Sequence, residues 1–149
     1  MKPVIQLERT GCGIAVVAAM AGVSYRQAQR TANRIGIFAH DRRLWSETAH
    51  VRRLLREYRL RPASTEQLFR SWSSLPNLAL LAIKWHREQG QPCWHWVVFV
   101  RDHDGERVLD SKQSLKHHVR KDFGRMKPKW YMAVAPCLGG LKSFLLSMK

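Results

Sequence analysis

The chain has no long apolar segment, few acidic residues and only 3 cysteines among its 149 residues. No apolar run reaches the length of a bilayer span, and the N-terminus lacks the apolar core of a signal peptide. We therefore expect a cytoplasmic protein, unless it is exported by a route that leaves no cleavable signal. Cys12, Cys93 and Cys137 have neither disulfide-framework nor zinc spacing, which predicts reduced thiols and no metal or other cofactor. One of these thiols could serve as a nucleophile.

The shortage of acidic residues leaves a strongly basic chain. Its 26 Lys and Arg residues outnumber 11 Asp and Glu residues, giving a formal net charge of +15. Such a charge favours anionic partners, namely nucleic acid, anionic lipid or an acidic protein surface. Arg26, Arg30 and Arg34 recur every four residues and would line one side of a helix, so they are the candidate nucleic-acid contacts. A solvated basic surface explains the same pattern, and no established nucleic-acid-binding motif accompanies it.

Apolar patterning predicts helices in the first part of the chain and strands in the second. A helix is expected from Cys12 to about Ala21 and is followed by Gly22, while Ser24 and Gln27 have the spacing of a capping box. A short helix is predicted at 64–69, and strands are predicted at 78–85, 94–101, 107–110 and 129–134. This order indicates an α+β fold, with an N-terminal helical lobe packed on a C-terminal antiparallel β-sheet. We expect one domain over 1–136 and a short amphipathic tail over 137–149.

Cys12 is the best candidate nucleophile because it lies between two glycines at the start of a predicted helix. A cysteine attacks as the thiolate, and the unpaired N–H groups of a helix N-terminus stabilise negative charge at that position. Gly11 and Gly13 would leave room for a substrate carbonyl to approach the sulfur, which makes them candidate substrate-binding residues. An inert buried thiol is the alternative interpretation of Cys12.

His95 and Asp110 are expected to complete a catalytic triad with Cys12. They flank a predicted hairpin centred near residue 104, so strand pairing would bring them side by side, and Asp110 could hold the His95 imidazole in one tautomer. Gln6 could join the Cys12 backbone N–H as an oxyanion-hole donor. Trp94 could form a wall of the substrate cleft, although core packing explains it equally well. Cys93 and His95 could form half of a metal site, but further ligands at the usual spacing are missing.

These residues resemble those of the papain-like peptidases that remove double-glycine leader peptides at bacteriocin exporters. The family pattern Gln-x5-Cys-Gly-x-Ala runs here from Gln6 to Ala15, and the later strands contain His95 and Asp110. The resemblance implies a papain-like fold, with Cys12 as nucleophile, His95 as base, Asp110 as its orienting residue and Gln6 as oxyanion donor. It also implies a peptide or protein substrate, and the charge is compatible with an acidic one.

The chain departs from that family at two positions. Gly11 occupies the place where the exporter peptidases usually have Asp, and Ser111 occupies the place where they usually have Pro. No transmembrane or ATPase segment follows, so we expect a stand-alone relative and not an exporter domain acting in cis. The leading prediction is a cysteine peptidase that cleaves a peptide or isopeptide bond, with acyl transfer open to the same chemistry. A catalytically silent binding module of the same fold and a basic nucleic-acid-binding protein are the alternatives.

Overall fold

The computed structural model describes residues 1–136, and the predicted tail at 137–149 lies outside these residues. Four helices come first along the chain. Within the described residues, seven strands follow, and one further short helix lies between the last two of them. The helices are α1 (Cys12–Ala21), α2 (Tyr25–Arg34), α3 (Arg43–Ser46), α4 (Ala49–Glu57) and α5 (Phe123–Met126). The strands are β1 (Leu60–Pro62), β2 (Gln67–Leu68), β3 (Leu78–Glu88), β4 (Gln91–Asp102), β5 (Gly105–Leu109), β6 (Val119–Arg120) and β7 (Trp130–Pro136).

Local sequence signals fix the ends of the first two helices. Gly22 follows α1 with φ +71°, a left-handed conformation that glycine adopts without strain, and its backbone N–H donates to Ala19. At the start of α2, the Ser24 side chain accepts from the Gln27 backbone N–H, while the Gln27 side chain accepts from the Ser24 N–H. The capping box is therefore confirmed.

The strands form a seven-stranded, antiparallel sheet in the order β1-β7-β3-β4-β5-β6, with β2 also paired to β7. This arrangement of helices followed by an antiparallel sheet confirms the predicted α+β class. The predicted helix at 64–69 is wrong, because Gln67 and Leu68 pair with Tyr131 and Trp130 of β7. That pairing is contributed by residues more than sixty positions away, which local propensity does not register.

The helix α1 is the centre of the larger hydrophobic core. Every residue from Cys12 to Met20 is buried, as expected for a helix that is apolar on all sides. The helices α2, α3 and α4 and one face of the sheet pack around it. Trp96 of β4, which is fully buried, donates from its indole N–H to the Leu44 carbonyl at 2.8 Å and so ties the sheet to α3.

A second, smaller core covers the opposite face of the sheet. Phe99 and Val108 are fully buried there, and Trp72 packs against Phe99 with ring centroids 6.0 Å apart. Within residues 1–136, none of the helices combines the length and the apolarity that a bilayer crossing requires.

Candidate active site

Cys12 is the first residue of α1, and the residue before it, Gly11, offers no side chain that could cap the helix. The backbone N–H groups of the first turn therefore remain free to interact with a negative charge at this end of the helix. The thiol itself is 5% exposed. Because α1 is held on all sides by the core, the sulfur has a fixed position relative to the sheet.

His95 and Asp110 are joined by the predicted hairpin. Strand β4 pairs with β5 through Val98 and Leu109, the residue before Asp110, and the His95 Nε2 lies 2.7 Å from Asp110 Oδ1. The ring nitrogen Nε2 is thus committed to the carboxylate, which leaves Nδ1 for another partner. Cys12 is close enough to His95 to influence its ionisation, so the fold brings the three predicted catalytic residues together.

Asp110 is almost completely buried, at 1% exposure, and its carboxylate accepts hydrogen bonds from three neighbouring groups. Oδ1 accepts from His95 and from the Lys112 backbone N–H at 3.1 Å, and Oδ2 accepts from Arg120 Nη1 at 2.9 Å. Arg120 also forms a bidentate pair with Asp122. Arg120 has no sequence signature as a site residue, because β6 has only two residues and shows no periodicity.

The ionisation of His95 follows from these contacts. Burial by itself would lower the pKa of His95, but the hydrogen bond that His95 donates to Asp110, together with the adjacent Cys12 thiol, outweighs it and raises the pKa to about 9. Burial would conversely raise the pKa of Asp110, but His95, the Lys112 N–H and Arg120 lower it to about 2. Near neutral pH the site therefore holds an imidazolium and a carboxylate.

We expect nuclear magnetic resonance of the His95 ring to show a titration midpoint near 9. Cys12→Ala should lower this midpoint, because the thiol contributes to the raised pKa. Since the folded pKa lies above the ordinary value of 6.5, the interaction stabilises the fold fully below pH 6.5, and this contribution is lost as the pH rises through about 9. An unchanged midpoint in Cys12→Ala would contradict contact between the two side chains.

Gln6 is buried beside the site, but its amide N–H groups already have acceptors. Nε2 donates to the backbone carbonyls of Glu8 at 3.0 Å and Arg9 at 2.7 Å, and Oε1 accepts from the Ser111 hydroxyl at 2.8 Å. The opposite amide orientation would set the Gln6 side-chain oxygen against two carbonyl oxygens, which cannot donate a hydrogen bond. The oxyanion role of Gln6 stays a prediction, and it requires a change in the hydrogen bonds of the Glu8–Arg9 turn.

Close packing against neighbouring side chains explains why glycine occupies positions 11 and 13, without the predicted role in substrate binding. A Cβ at Gly11 would lie 2.0 Å from the Tyr25 hydroxyl oxygen, and a Cβ at Gly13 would lie 2.8 Å from the Leu44 side chain. The Tyr25 hydroxyl, in turn, donates to the Glu8 carboxylate at 2.6 Å. The two residues that depart from the exporter pattern, Gly11 and Ser111, thus each have a specific neighbour in this fold. Tyr25 fills the space beside Gly11, and the Ser111 hydroxyl donates to Gln6. Contact of either glycine with substrate remains a prediction.

Trp94 packs in an aromatic cluster. Its ring centroid lies 5.6 Å from that of Trp96 and 5.0 Å from that of Trp130, and the residue is 8% exposed. It also lines a pocket of about 370 Å³ together with Trp130 and Leu68. Core packing therefore explains most of its surface, and the cleft-wall role of Trp94 stays a prediction.

The candidate nucleic-acid residues form an exposed row on α2. Arg26, Arg30 and Arg34 are all exposed, as the four-residue spacing predicted. Arg34 approaches Glu57 at 3.8 Å, an exposed pair that adds little stability. A contact between this row and nucleic acid remains a prediction.

Comparison with known proteins finds similarity of structure only. No family model matches the chain, and no curated protein matches it. The peptidase domain of Streptococcus ComA, a bi-functional ABC transporter involved in a quorum-sensing pathway, aligns with a TM-score of 0.51 at 14% identity, covering 91% of this chain and 98% of that domain. The peptidase domain of Streptococcus mutans ComA aligns with a TM-score of 0.44 at 12% identity, covering 91% of this chain and all of that domain. The first alignment shows that the chain has the papain-like fold of a ComA peptidase domain.

Proposed function

We propose that this protein is a thiol hydrolase that cleaves a peptide or isopeptide bond through Cys12, His95 and Asp110. The observation that carries the proposal is the 2.7 Å contact between His95 and Asp110, with Cys12 next to the imidazole at the start of α1. A thiol at a helix N-terminus, an imidazole and a buried carboxylate are the groups that nucleophilic catalysis by cysteine requires. The shared fold with a peptidase domain supports a peptide or protein as substrate.

The proposed reaction begins with a Cys12 thiolate and a His95 imidazolium. The sulfur attacks the substrate carbonyl carbon, and the resulting oxyanion collapses to a thioester while His95 transfers its proton to the leaving amine. Neutral His95 then takes a proton from water, which attacks the thioester and releases the acid and the Cys12 thiolate, so that the thiolate–imidazolium pair is restored. Attack by an amine in place of water would give acyl transfer on the same residues.

The oxyanion would be stabilised by the Cys12 backbone N–H and by the Gln6 amide, each worth on the order of 3 kcal/mol. The first donor is available at the uncapped start of α1. Gln6 would have to exchange its bond to the Glu8 or Arg9 carbonyl for one to the substrate. Substrate binding that displaces the Glu8–Arg9 turn would provide this exchange.

We further propose that the chain is a relative of the double-glycine leader peptidases and that it acts on a peptide or protein. The residues that support this relationship are Gln6, Cys12, His95 and Asp110, which follow the family's order and spacing. With a net charge of +15, an acidic substrate would be attracted electrostatically.

The same geometry also supports a catalytically silent binding module. Cys12 is 5% exposed, and both N–H groups of the Gln6 amide are engaged within the chain. A protein that kept the fold but no longer turned over substrate could retain such contacts permanently. Nucleic-acid binding through the exposed arginines of α2 is a separate candidate, and its mark would be a steep dependence of affinity on salt concentration.

Alkylation with iodoacetamide separates the hydrolase from the silent module without knowledge of the substrate. We expect Cys12 to react at neutral pH at least about tenfold faster than Cys93, because thiolate and not thiol is the reacting form and only Cys12 lies at a helix start beside an imidazolium. Cys93 is the internal control, since it is buried as well, at 2% exposure compared with 5% for Cys12. Peptide mapping by mass spectrometry measures both rates in one sample.

The His95→Gln variant provides the matched test of the mechanism. It keeps a polar side chain at this position but removes the imidazolium, so alkylation of Cys12 should slow while that of Cys93 stays the same. Labelling of Cys12 no faster than that of Cys93 in the unmodified protein would contradict the hydrolase proposal.

A further inference from the structure

The end of the β3–β4 hairpin contains a cluster of metal-binding side chains outside the site described above. Strands β3 and β4 are joined at Gln89 and Gly90, which have φ of +51° and +77° as a tight hairpin turn requires. Just before the turn, β3 contains one extra residue between Ile83 and His86, and Lys84 has φ +54°. This bulge changes which residues face one another near the turn.

Because of the bulge, His86 lies directly opposite Cys93. Farther from the turn, Ile83 pairs with His95, and an unbroken register would set Trp85 against Cys93. A shift of one residue reverses the face on which each side chain lies, so the bulge brings the imidazole onto the side of the thiol. The conformation of Lys84, which is uncommon for a residue with a side chain, is thus tied to this pairing.

Three different donor atoms converge at this point. The Cys93 Sγ lies 3.2 Å from His86 Nε2, and the same Nε2 lies 3.0 Å from Glu88 Oε1. All three donor atoms lie within 4.8 Å of one another. Zinc–ligand bonds of about 2.3 Å to sulfur and about 2.0 Å to nitrogen give a tetrahedral S···N separation of about 3.5 Å, so a small outward movement of the exposed His86 would accommodate an ion.

The second nitrogen of His86 is oriented for metal binding. Nδ1 lies 2.8 Å from the Lys84 carbonyl, and since a carbonyl only accepts, Nδ1 must carry the proton. Nε2 lies 3.0 Å from a Glu88 carboxylate oxygen, which also only accepts, so without a metal this nitrogen carries a proton as well, and a cation bound to Cys93 and Glu88 would replace that proton. Metal-binding histidines typically donate their other N–H to a carbonyl or carboxylate in this way. This carbonyl belongs to Lys84 in the bulge. The bulge therefore determines both the pairing of His86 with Cys93 and the protonation of His86 Nδ1.

The same three side chains do not form a second catalytic triad. In a triad the carboxylate and the thiol occupy different ring nitrogens, whereas here Cys93 and Glu88 both contact Nε2. Convergence on a single point suits a cation and not a proton relay.

We propose that His86, Glu88 and Cys93 form a binding site for Zn²⁺, with a fourth position open to water or another ligand. A thiolate, an imidazole and a carboxylate are the three ligand types that zinc uses. The negative charges of the thiolate and the carboxylate together balance the charge of Zn²⁺. The Arg42 guanidinium donates to the Glu88 carbonyl at 2.7 Å, so one nearby positive charge opposes binding. The alternative that paired Cys93 with His95 is not supported, since the Cys93 sulfur contacts His86 whereas His95 contacts Asp110.

Cobalt(II) titration tests the site, because Co²⁺ replaces Zn²⁺ and reports thiolate ligation by a near-ultraviolet charge-transfer band. The protein is the full chain carrying Cys12→Ala and Cys137→Ala, so that Cys93 is the remaining thiol. We expect one Co²⁺ per chain with a thiolate band, which Zn²⁺ displaces. Cys93→Ala should abolish the band, and His86→Gln or Glu88→Gln should weaken binding about tenfold or more.

The matched control is His103→Gln. His103 lies between Asp102 and Asp104 in an exposed turn, where a histidine and two carboxylates also come together but without a thiol. This substitution should leave the charge-transfer band unchanged. The proposal is overturned by the absence of a thiolate band at stoichiometric Co²⁺, by a band that persists in Cys93→Ala, or by equal losses in His86→Gln and His103→Gln. As a measurement independent of cobalt, Zn²⁺ should raise the unfolding temperature of the parent protein but not that of His86→Gln.

Discussion

Cys12→Ala should abolish peptide cleavage by this protein. The thiol is the only group in the proposed mechanism that forms a bond to the substrate, so its removal leaves binding but no covalent step, and the rate should fall by on the order of 10⁴-fold or more. The fold should persist, because the substitution removes one sulfur atom at the edge of the core. The expected result is therefore a folded and inactive variant.

The measurement uses a mixture of peptides generated from a proteome, with new termini quantified by mass spectrometry. Such a mixture requires no prior choice of substrate, and the sequences around the new termini report the specificity at the same time. Cys137→Ala is the matched control, since it removes a different thiol from a position beyond the predicted domain, and it should cleave at the rate of the unmodified chain.

Each outcome of this comparison distinguishes two of the candidate functions. Cleavage that continues in Cys12→Ala would contradict the assignment of Cys12 as nucleophile. An unmodified chain that cleaves no peptide, and whose Cys12 also alkylates slowly, would instead support the silent binding module.

Asp110→Asn should have the second-largest effect, because this carboxylate contacts both the imidazole and the partly buried guanidinium of Arg120. An asparagine would direct its N–H group at either His95 or Arg120, which are themselves donors, so one contact becomes repulsive. The imidazolium also loses the negative charge that raises its pKa. We expect kcat to fall by about 10³–10⁴-fold, the scale of the loss of a triad carboxylate charge.

The same substitution should also destabilise the fold. Breaking a buried ion pair costs about 3–5 kcal/mol when the partner is left uncompensated, and the lower end of this range is expected because Arg120 keeps Asp122. Urea unfolding measures this loss, and the His95 titration midpoint should fall well below 9 in the folded variant. The shift of the midpoint distinguishes an effect on the imidazole from a general loss of structure.

Asp122→Asn is the matched control for this prediction. Asp122 contacts the same arginine, but it is exposed and does not touch His95. We expect kcat to stay within about twofold and stability to change by less than about 1 kcal/mol, as for other surface ion pairs. Full activity in Asp110→Asn, or equal losses in both variants, would contradict an orienting role for Asp110.

Much of the fold could be predicted because its strongest signals are local. The apolar run of α1, the left-handed Gly22 and the Ser24 capping box act within a few residues of one another, and the long strands β3 and β4 are strongly apolar. The short elements were missed or misassigned. A two-residue strand such as β2 or β6 exists because a distant strand supplies its hydrogen bonds, so its own sequence contains too little pattern to reveal it.

For the candidate site, spacing identified the principal side chains but not their surroundings. The proximity of His95 and Asp110 followed from one hairpin, whose residues are close in sequence. Arg120 reaches Asp110 through strand pairing, and Tyr25 occupies the space next to Gly11 through helix packing. Neither contact has a sequence signature, because each depends on how separate elements are packed together.

Local sequence patterns were sufficient to predict the α+β class, the position of Cys12 at a helix start and the hairpin that joins His95 to Asp110. All of these depend on short-range periodicity, capping and turn chemistry, which a linear pattern records. The tertiary structure alone decided the hydrogen-bond partners of Gln6, the pairing of Asp110 with Arg120 and the meeting of His86 with Cys93. These depend on register and packing between distant segments, where one extra residue at the β3 bulge is enough to change which side chains meet.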